Sequence, residues 1–146
     1  MMPKPSIDII LPVYNEERDL TKSALKLRRF LRSYLANFKW CIYIVDNASS
    51  DATSEIGHIL ADQFYDVKYV RLEQRGRGCA IRCAWLNSIA DIVCYMDVDL
   101  STELEALVPL VDSIAKENYD LATGSRLVFG ARVKRSLKRD MLSRGY

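Results

Sequence analysis

The chain has 146 residues, of which 49% are hydrophobic and 27% are charged, and this composition excludes disordered and collagen-like chains and favours one globular domain. No uncharged apolar run approaches the roughly 18 residues that a membrane-spanning helix needs, and the first residues lack a signal-peptide pattern, so we expect a cytoplasmic protein. The net charge of +2 divides into −4 over residues 1–125 and +6 over residues 126–146, which favours an anionic ligand or surface, with a solvated basic tail as the alternative.

Strand and helix patterns alternate along the chain. β-branched and aromatic runs predict strands, and apolar residues at helical spacing predict helices. In chain order we expect a strand at 7–13, a helix at 16–38, a strand at 40–45, a helix capped by Ser50 or Asp51, a strand at 67–72, a helix at 78–89, a strand at 92–96, a helix from a capping box at 102–105 to about 118, and a short strand at 121–124. This alternation indicates a single doubly wound α/β domain with a mainly parallel sheet.

The cysteines and the single histidine argue against two kinds of site. The four cysteines form no CxxC pair and His58 stands alone, so a zinc site of four nitrogen and sulfur ligands is disfavoured. Without a second histidine or a nucleophile paired with one, no catalytic triad can be drawn.

Polar side chains follow each of the first four predicted strands. They occupy residues 12–17, 46–51, 73–78 and 97–99. In open α/β sheets, ligands bind outside the carboxyl ends of the strands. We therefore expect these four loops to form one site.

Asp97 and Asp99 directly follow an apolar strand. Residues i and i+2 of extended chain point to the same side, so the two carboxylates are expected to repel one another unless a cation or a proton offsets their charge. Hard oxygen ligands favour Mg²⁺ or Mn²⁺, which commonly also bind substrate phosphates. The alternative is a solvated turn that helps to cap the following helix.

The loop Arg75-Gly76-Arg77-Gly78 has the composition of a phosphate-binding turn. Glycine allows close approach of the backbone, and arginine can hold phosphate oxygens beside a helix start. The loop is neither GxGxxG nor GxxxxGK[ST], which disfavours a dinucleotide site and excludes a P-loop; a glycine turn with exposed arginines is the alternative. Asp46 could accept hydrogen bonds from a base or ribose, and Tyr14 could lie against a nucleobase or at the edge of the core.

Five segments together resemble a known family. They are LPVYNEE (11–17), VDNASSDAT (45–53), RGRG (75–78), MDVDLST (96–102) and GSR (124–126). The chain resembles inverting family 2 glycosyltransferases, which have the Rossmann-like GT-A fold. Arg126 and SLKRDMLSRGY (136–146) are most similar to the polyprenyl-phosphate branch, which includes the dolichyl-phosphate mannose and glucose synthases.

The resemblance implies a role for each matching residue. The positions around the nucleoside of the donor are Pro12, Tyr14, Glu16 and Asp46. The resemblance further places Gly76 and Arg77 beside the nucleotide. It also implies that Asp97 and Asp99, with Ser101 as a further contact, bind a divalent metal that holds the diphosphate. Arg126 and Arg139 match arginines that bind the diphosphate or the acceptor phosphate.

The implied reaction is metal-assisted transfer of a hexose from a UDP- or GDP-sugar to a polyprenyl phosphate. A phosphate acceptor is already ionised near neutral pH, so the reaction needs no general base. We divide the domain into a nucleotide-sugar-binding core at 1–125 and a basic acceptor-side segment at 126–146, which suits the cytoplasmic face of a membrane. Family members extend further, so the alternative is a truncated, non-catalytic nucleotide-sugar-binding domain that acts with a partner chain or as a homo-oligomer. The net negative charge of residues 1–125 argues against binding to nucleic acid.

Overall fold

The computed structural model describes residues 4–101 and 103–124, which form four strands, four α-helices and one 3₁₀ turn. In chain order they are β1 Ser6–Val13, α1 Leu20–Tyr34, β2 Lys39–Asn47, α2 Thr53–Gln63, β3 Val67–Leu72, α3 Arg77–Asn87, β4 Ile92–Tyr95, the 3₁₀ turn Leu104–Ala106 and α4 Leu107–Glu117. The alternation that the sequence predicts is therefore present, and the predicted bounds of β3 are the observed ones.

The four strands form one parallel sheet in the order β3-β2-β1-β4. The chain runs outward from β1 to β3 and then returns to the other side of β1, so the direction of winding reverses between β1 and β4. Such a switch point opens a crevice at the carboxyl edge of the sheet. This arrangement confirms the predicted doubly wound α/β fold.

The core lies on both faces of the sheet. On one face α1 buries Leu20, Leu27 and Leu31, which recur at helical spacing, against β1 and β2. The opposite face carries a smaller cluster in which Ala80 of α3 packs on Ile10 and Val45. The sheet is thus covered by helices on both sides, as a doubly wound fold requires.

The predicted start of the first helix, at residue 16, is wrong. Residues 16–19 form a turn in which the Glu16 carbonyl accepts hydrogen bonds from the Asp19 and Leu20 N–H groups, and α1 begins only at Leu20. The N–H groups of Asn15 and Glu16 donate instead to side chains of the loop after β2. A tertiary contact has therefore displaced the first turn of the helix.

The predicted strand at 121–124 is also wrong, because these four residues form no strand. Leu121 is exposed and no neighbouring strand pairs with this segment among residues 4–101 and 103–124. Thr102 of the predicted capping box lies outside the described residues, and the helix that follows begins as the 3₁₀ turn. The segment 126–146 also lies outside them, so the division into a core and a basic segment stays a prediction.

Candidate functional site at the carboxyl edge of the sheet

The loops after all four strands lie at the same edge of the sheet. Because β1 to β4 are parallel, their carboxyl ends meet there. The structure thus brings together the four polar loops that the sequence marks out.

The loop after β1 and the loop after β2 are joined by hydrogen bonds in both directions. Asn15 and Ala48 turn the two loops through the left-handed region, with φ values of 54° and 58°. These bonds include Asn15 N–H to Ser49 Oγ (3.0 Å), Glu16 N–H to Thr53 Oγ1 (2.7 Å), Ser50 N–H to Asn15 Oδ1 (2.9 Å) and Ala52 N–H to Glu17 Oε2 (3.1 Å). The two loops therefore form one preformed wall.

The predicted cap of α2 by Ser50 or Asp51 is wrong, because Ala52 occupies the N-cap position and Asp51 lies one residue before it. Asp51 Oδ1 accepts a hydrogen bond from the Thr53 N–H at 3.0 Å, and its Oδ2 accepts one from the Glu17 N–H at 3.2 Å. Burial opposes ionisation of this carboxyl, but the bonds from Thr53 and Glu17 outweigh it, and the pKa of Asp51 is lowered. Asp51 thus links the helix start to the loop after β1.

Asp46 lies at the end of β2 with none of its surface exposed. Its Oδ1 accepts a hydrogen bond from the Ser49 N–H (2.8 Å), and its Oδ2 accepts one from the Tyr69 hydroxyl (2.7 Å) and one from Arg71 Nη1 (3.2 Å). The second arginine nitrogen, Nη2, donates to the Ser49 carbonyl at 3.1 Å. Asp46 is therefore the centre of an internal network, and its predicted contact with the base or ribose stays a prediction.

Tyr69 can reach Asp46 because the residue of α2 that lies against its ring, Gly57, has no side chain. A Cβ at Gly57 would lie 2.5 Å from Tyr69 Cε2 and closer still to Cδ2, so only glycine leaves room for this ring. The hydroxyl also lies 2.8 Å from Ser54 Oγ. Burial raises the pKa of Tyr69, which keeps it a protonated donor toward Asp46.

Pro12, Tyr14 and Glu16 occupy the end of β1 and the loop after it. Pro12 is buried in the strand, whereas Tyr14 is 39% exposed and Arg75 lies over its ring at 4.7 Å, a cation–π distance. Glu16 is half-buried, and burial followed by the negative charges of Asp19, Asp99 and Asp51 raises its pKa. Tyr14 thus presents an accessible aromatic face, and Asp99 lies near enough to Glu16 to influence it.

The loop after β3 turns at Gly76, whose φ of 154° is in the region that glycine adopts most readily. Arg77 begins α3, and its guanidinium forms an ion pair with the Asp97 carboxylate and lies 5.8 Å from the centre of the Tyr95 ring. Both members of the ion pair are substantially exposed. The structure therefore places Arg77 directly beside Asp97, the first of the two aspartates that follow β4.

The extended conformation expected for Asp97 and Asp99 is wrong, because they lie in a turn. The Leu100 N–H donates to the Asp97 carbonyl at 3.0 Å, and Leu100 has a φ of 46°. The intervening Val98 is buried in the core, which holds the turn at the sheet edge. Both aspartates nevertheless remain at the surface, since Asp97 is half-buried and Asp99 is exposed.

The donor set at this turn fits a hard divalent cation, but the aspartates do not enclose one. Asp99 Oδ1 accepts the Ser101 N–H at 3.0 Å, and Asp97 faces Arg77. Within residues 4–101 and 103–124, no three His, Cys, Asp or Glu side chains are arranged to hold a metal ion. Mg²⁺ typically takes one or two carboxylates and completes its shell with water and substrate phosphates. Any ion here would therefore complete its shell with water or with phosphate oxygens such as those of a diphosphate.

Two residues that hold the predicted site residue Asp46 were missed in the sequence, and two predicted site residues cannot be placed. Tyr69 and Arg71 hold Asp46, and the only signal for them is their alternation on β3 beside the end of β2. Arg126 and Arg139 lie outside the described residues, so their predicted phosphate contacts stay predictions.

The family model described as glycosyl transferase family 2 matches residues 8–145. The chain belongs to glycosyl transferase family 2. Its fold is similar to that of a solved structure, the mannosyltransferase PcManGT from Pyrobaculum calidifontis in complex with GDP-Man and Mn²⁺, with a TM-score of 0.63, 24% identity, and coverage of 78% of this chain and 33% of that one. This likeness shows the fold alone, whereas the match to the family model confirms the family resemblance found in the sequence.

Curated relatives of this family 2 chain include two archaeal proteins. One is glycosyltransferase AglD of Haloferax volcanii, 30% identical over 96% of this chain and 23% of the relative. The other is dolichol-phosphate mannosyltransferase of Pyrococcus furiosus, 30% identical over 95% of this chain and 38% of the relative. The chain thus spans well under half the length of these relatives. None of the helices in the described part of the chain combines the length and apolar character of a membrane span.

Proposed function

We propose that this family 2 chain binds a nucleotide-diphosphate hexose at the carboxyl edge of its sheet and forms the donor half of an inverting glycosyltransferase that acts on a polyprenyl phosphate. The supporting observation is that Tyr14, Arg77 and the pair Asp97 and Asp99 follow three different strands, β1, β3 and β4, at one edge of the sheet, where Arg77 pairs with Asp97. An aromatic face suits a base, and a guanidinium beside two carboxylates suits a metal-bound diphosphate.

At the diphosphate end, Asp97 and Asp99 would hold Mg²⁺ or Mn²⁺, with Ser101 next to them. A bound divalent ion would stabilise the charge that develops on the leaving diphosphate. Arg77 is already beside Asp97, so its guanidinium can exchange the carboxylate for a phosphate oxygen with little movement of its backbone. The arginine thereby adds a second positive charge where the leaving group becomes negative.

At the acceptor end, a polyprenyl phosphate is consistent with the names of the relatives, which include dolichyl-phosphate glucosyltransferases and a dolichol-phosphate mannosyltransferase. The basic segment 126–146, with a charge of +6, suits an anionic acceptor and an anionic leaflet. We therefore propose a peripheral position on the cytoplasmic face of a membrane. Co-sedimentation with anionic vesicles, but not with neutral ones, would support it, and equal recovery with both would reject it.

The donor site is tested by calorimetry with GDP-mannose and UDP-glucose, each with and without Mn²⁺. We expect one donor to bind in the presence of Mn²⁺, and we expect Asp99→Asn to weaken that binding at least tenfold, as loss of one metal ligand would. The matched control is Asp62→Asn, an exposed aspartate on α2 near the opposite edge of the sheet, which should leave binding unchanged. Absence of binding by the wild-type chain, or equal binding by Asp99→Asn, would reject the site.

Transfer is tested separately, because the chain spans only part of its relatives. A radiolabelled hexose should move from the bound donor to a polyprenyl phosphate in a single extractable lipid product. A chain that binds the donor but yields no such product alone, and yields it when mixed with a partner chain, would favour the alternative of a nucleotide-sugar-binding subunit.

A further inference from the structure

We infer that Arg71 and Tyr69 are positioning residues for the nucleoside end of the donor site, acting through Asp46 and the loop after β2. The inference deepens the proposed function and rests on it. Neither residue lies in the four polar loops, since both are on β3, at the edge of the sheet.

The two residues reach Asp46 because of the register of the sheet. β2 and β3 pair so that Asp46 is directly opposite Arg71, and Tyr69 is two residues earlier on the same face. The Tyr69 hydroxyl and Arg71 Nη1 both donate to Asp46 Oδ2, at 2.7 and 3.2 Å. With the Ser49 N–H on Oδ1, the buried carboxylate has three donors and one fixed orientation.

Arg71 also holds the loop itself. Its Nη2 donates to the Ser49 carbonyl at 3.1 Å while Nη1 donates to Asp46, so one planar guanidinium bridges the end of β2 and the turn after it. Ser49 in turn accepts the Asn15 N–H at 3.0 Å. Arg71 is therefore connected through two hydrogen bonds to the loop that carries Tyr14, the residue whose exposed ring would face the base.

No described hydrogen bond extends this connection to the diphosphate end of the site. Arg77, Asp97 and Asp99 are held by the turn at Gly76, the Asp97–Leu100 turn and the burial of Val98, with no described bond to Asp46 or Arg71. Loss of Arg71 or of the Tyr69 hydroxyl should therefore weaken recognition of the nucleoside and leave binding of the diphosphate unchanged.

The experiment compares two probes by calorimetry: the nucleotide-sugar that binds the wild-type chain, and Mn²⁺-pyrophosphate, which has no nucleoside. For Arg71→Met we expect nucleotide-sugar binding to weaken about tenfold, a typical effect of removing a group that orients a ligand-binding residue, and pyrophosphate binding to stay within about twofold. Arg71→Lys keeps the charge without the two-pronged geometry and should fall between Met and wild type. Tyr69→Phe removes one hydroxyl and should weaken the nucleotide-sugar alone.

The matched control is Arg28→Met, which removes the arginine of another buried Arg–Asp pair. Arg28 Nε donates to Asp66 Oδ1 at 2.6 Å, and Asp66 directly precedes β3, at the amino edge of the sheet. This variant should lower stability without changing either binding constant. If Arg71→Met fails to fold, Tyr69→Phe alone decides the question.

The outcomes separate the two proposals. If the wild-type chain binds no nucleotide-sugar, the proposed function fails. If it binds one and both Tyr69→Phe and Arg71→Met bind it as tightly, the positioning role is refuted while the function stands. A parallel loss of nucleotide-sugar and pyrophosphate binding in Tyr69→Phe would also refute it, because that pattern indicates collapse of the whole site.

Discussion

Substitution of Gly57 by alanine tests whether the packing of α2 on β3 supports the Asp46 network. In an open helix position this change stabilises a protein by up to about 1 kcal/mol, because glycine is a poor helix former. At position 57 the added Cβ would overlap the Tyr69 ring, so the ring must shift and its bonds to Asp46 and Ser54 must lengthen. Overpacking typically costs 1–3 kcal/mol and a hydrogen bond to a charged group contributes about 1.5–3 kcal/mol.

The net expectation for Gly57→Ala is a loss of about 2 kcal/mol, measured as a lower midpoint of urea unfolding and as a melting temperature lower by about 5–10 °C. Gly78 provides the matched control, since it also lies in a helix but has no atom within 4 Å of a Cβ added there. Gly78→Ala should leave stability unchanged or raise it. Stabilisation of both variants by the same amount would refute the packing argument.

Three further predictions concern other parts of the chain. Arg28→Met should destabilise the chain by about 3 kcal/mol in urea unfolding, because Asp66 is left buried without its cation. Adding Asp66→Asn should restore part of the lost stability. Equal losses in the single and double variants would contradict this. In a titration followed by electron paramagnetic resonance, Mn²⁺ should bind weakly to the chain alone and at least about tenfold more tightly when GDP is present. The reason is that no cluster of three ligands in the described part of the chain holds the ion. Tight binding of Mn²⁺ without nucleotide would contradict this. At pH 8 a disulfide reagent should react quickly with the exposed Cys79 and much more slowly with the half-buried Cys94, because burial raises the pKa of Cys94 to about 12. Equal rates at the two thiols would contradict this.

The strands and the position of the site could be predicted because both depend on local patterns. Apolar runs such as Ile92–Tyr95 are followed by polar loops, and parallel strands bring those loops to one edge. The turn at Asp97–Leu100 could not be predicted, since it depends on Val98 entering the core and on Leu100 adopting a left-handed conformation. A local sequence pattern indicates neither the burial of Val98 nor the left-handed conformation of Leu100.

The network around Asp46 could not be predicted for a different reason. It depends on the register between β2 and β3, which pairs residues 25 positions apart, and on the missing Cβ of Gly57 in a helix between them. The sequence indicated Asp46 as a contact for the base or ribose at the end of a strand, but it did not indicate the side chains that hold it. The long-range pairing of β2 with β3 determines which neighbouring side chains bind Asp46.

Glu16 is the residue where stability and the proposed function oppose one another most directly. Its pKa is raised by burial and then by the charges of Asp19, Asp99 and Asp51, so folding favours its protonated form. A raised carboxyl pKa contributes stability at low pH that is lost as the pH rises through the folded-state value. Glu16→Gln should therefore raise the midpoint of urea unfolding at pH 8, and the gain should shrink toward pH 4, where the wild-type side chain is itself neutral.

The same substitution should weaken binding of the nucleotide-sugar with Mn²⁺, if Glu16 contributes at the nucleoside end as the family resemblance implies. A variant that is more stable at pH 8 and binds less would show that the carboxylate is held against a local repulsion for the sake of the ligand. A pH-independent change in stability would contradict the electrostatic explanation. The repulsion among the carboxylates at this edge of the sheet would then be relieved when a cation binds there together with a diphosphate, and not by the protein alone.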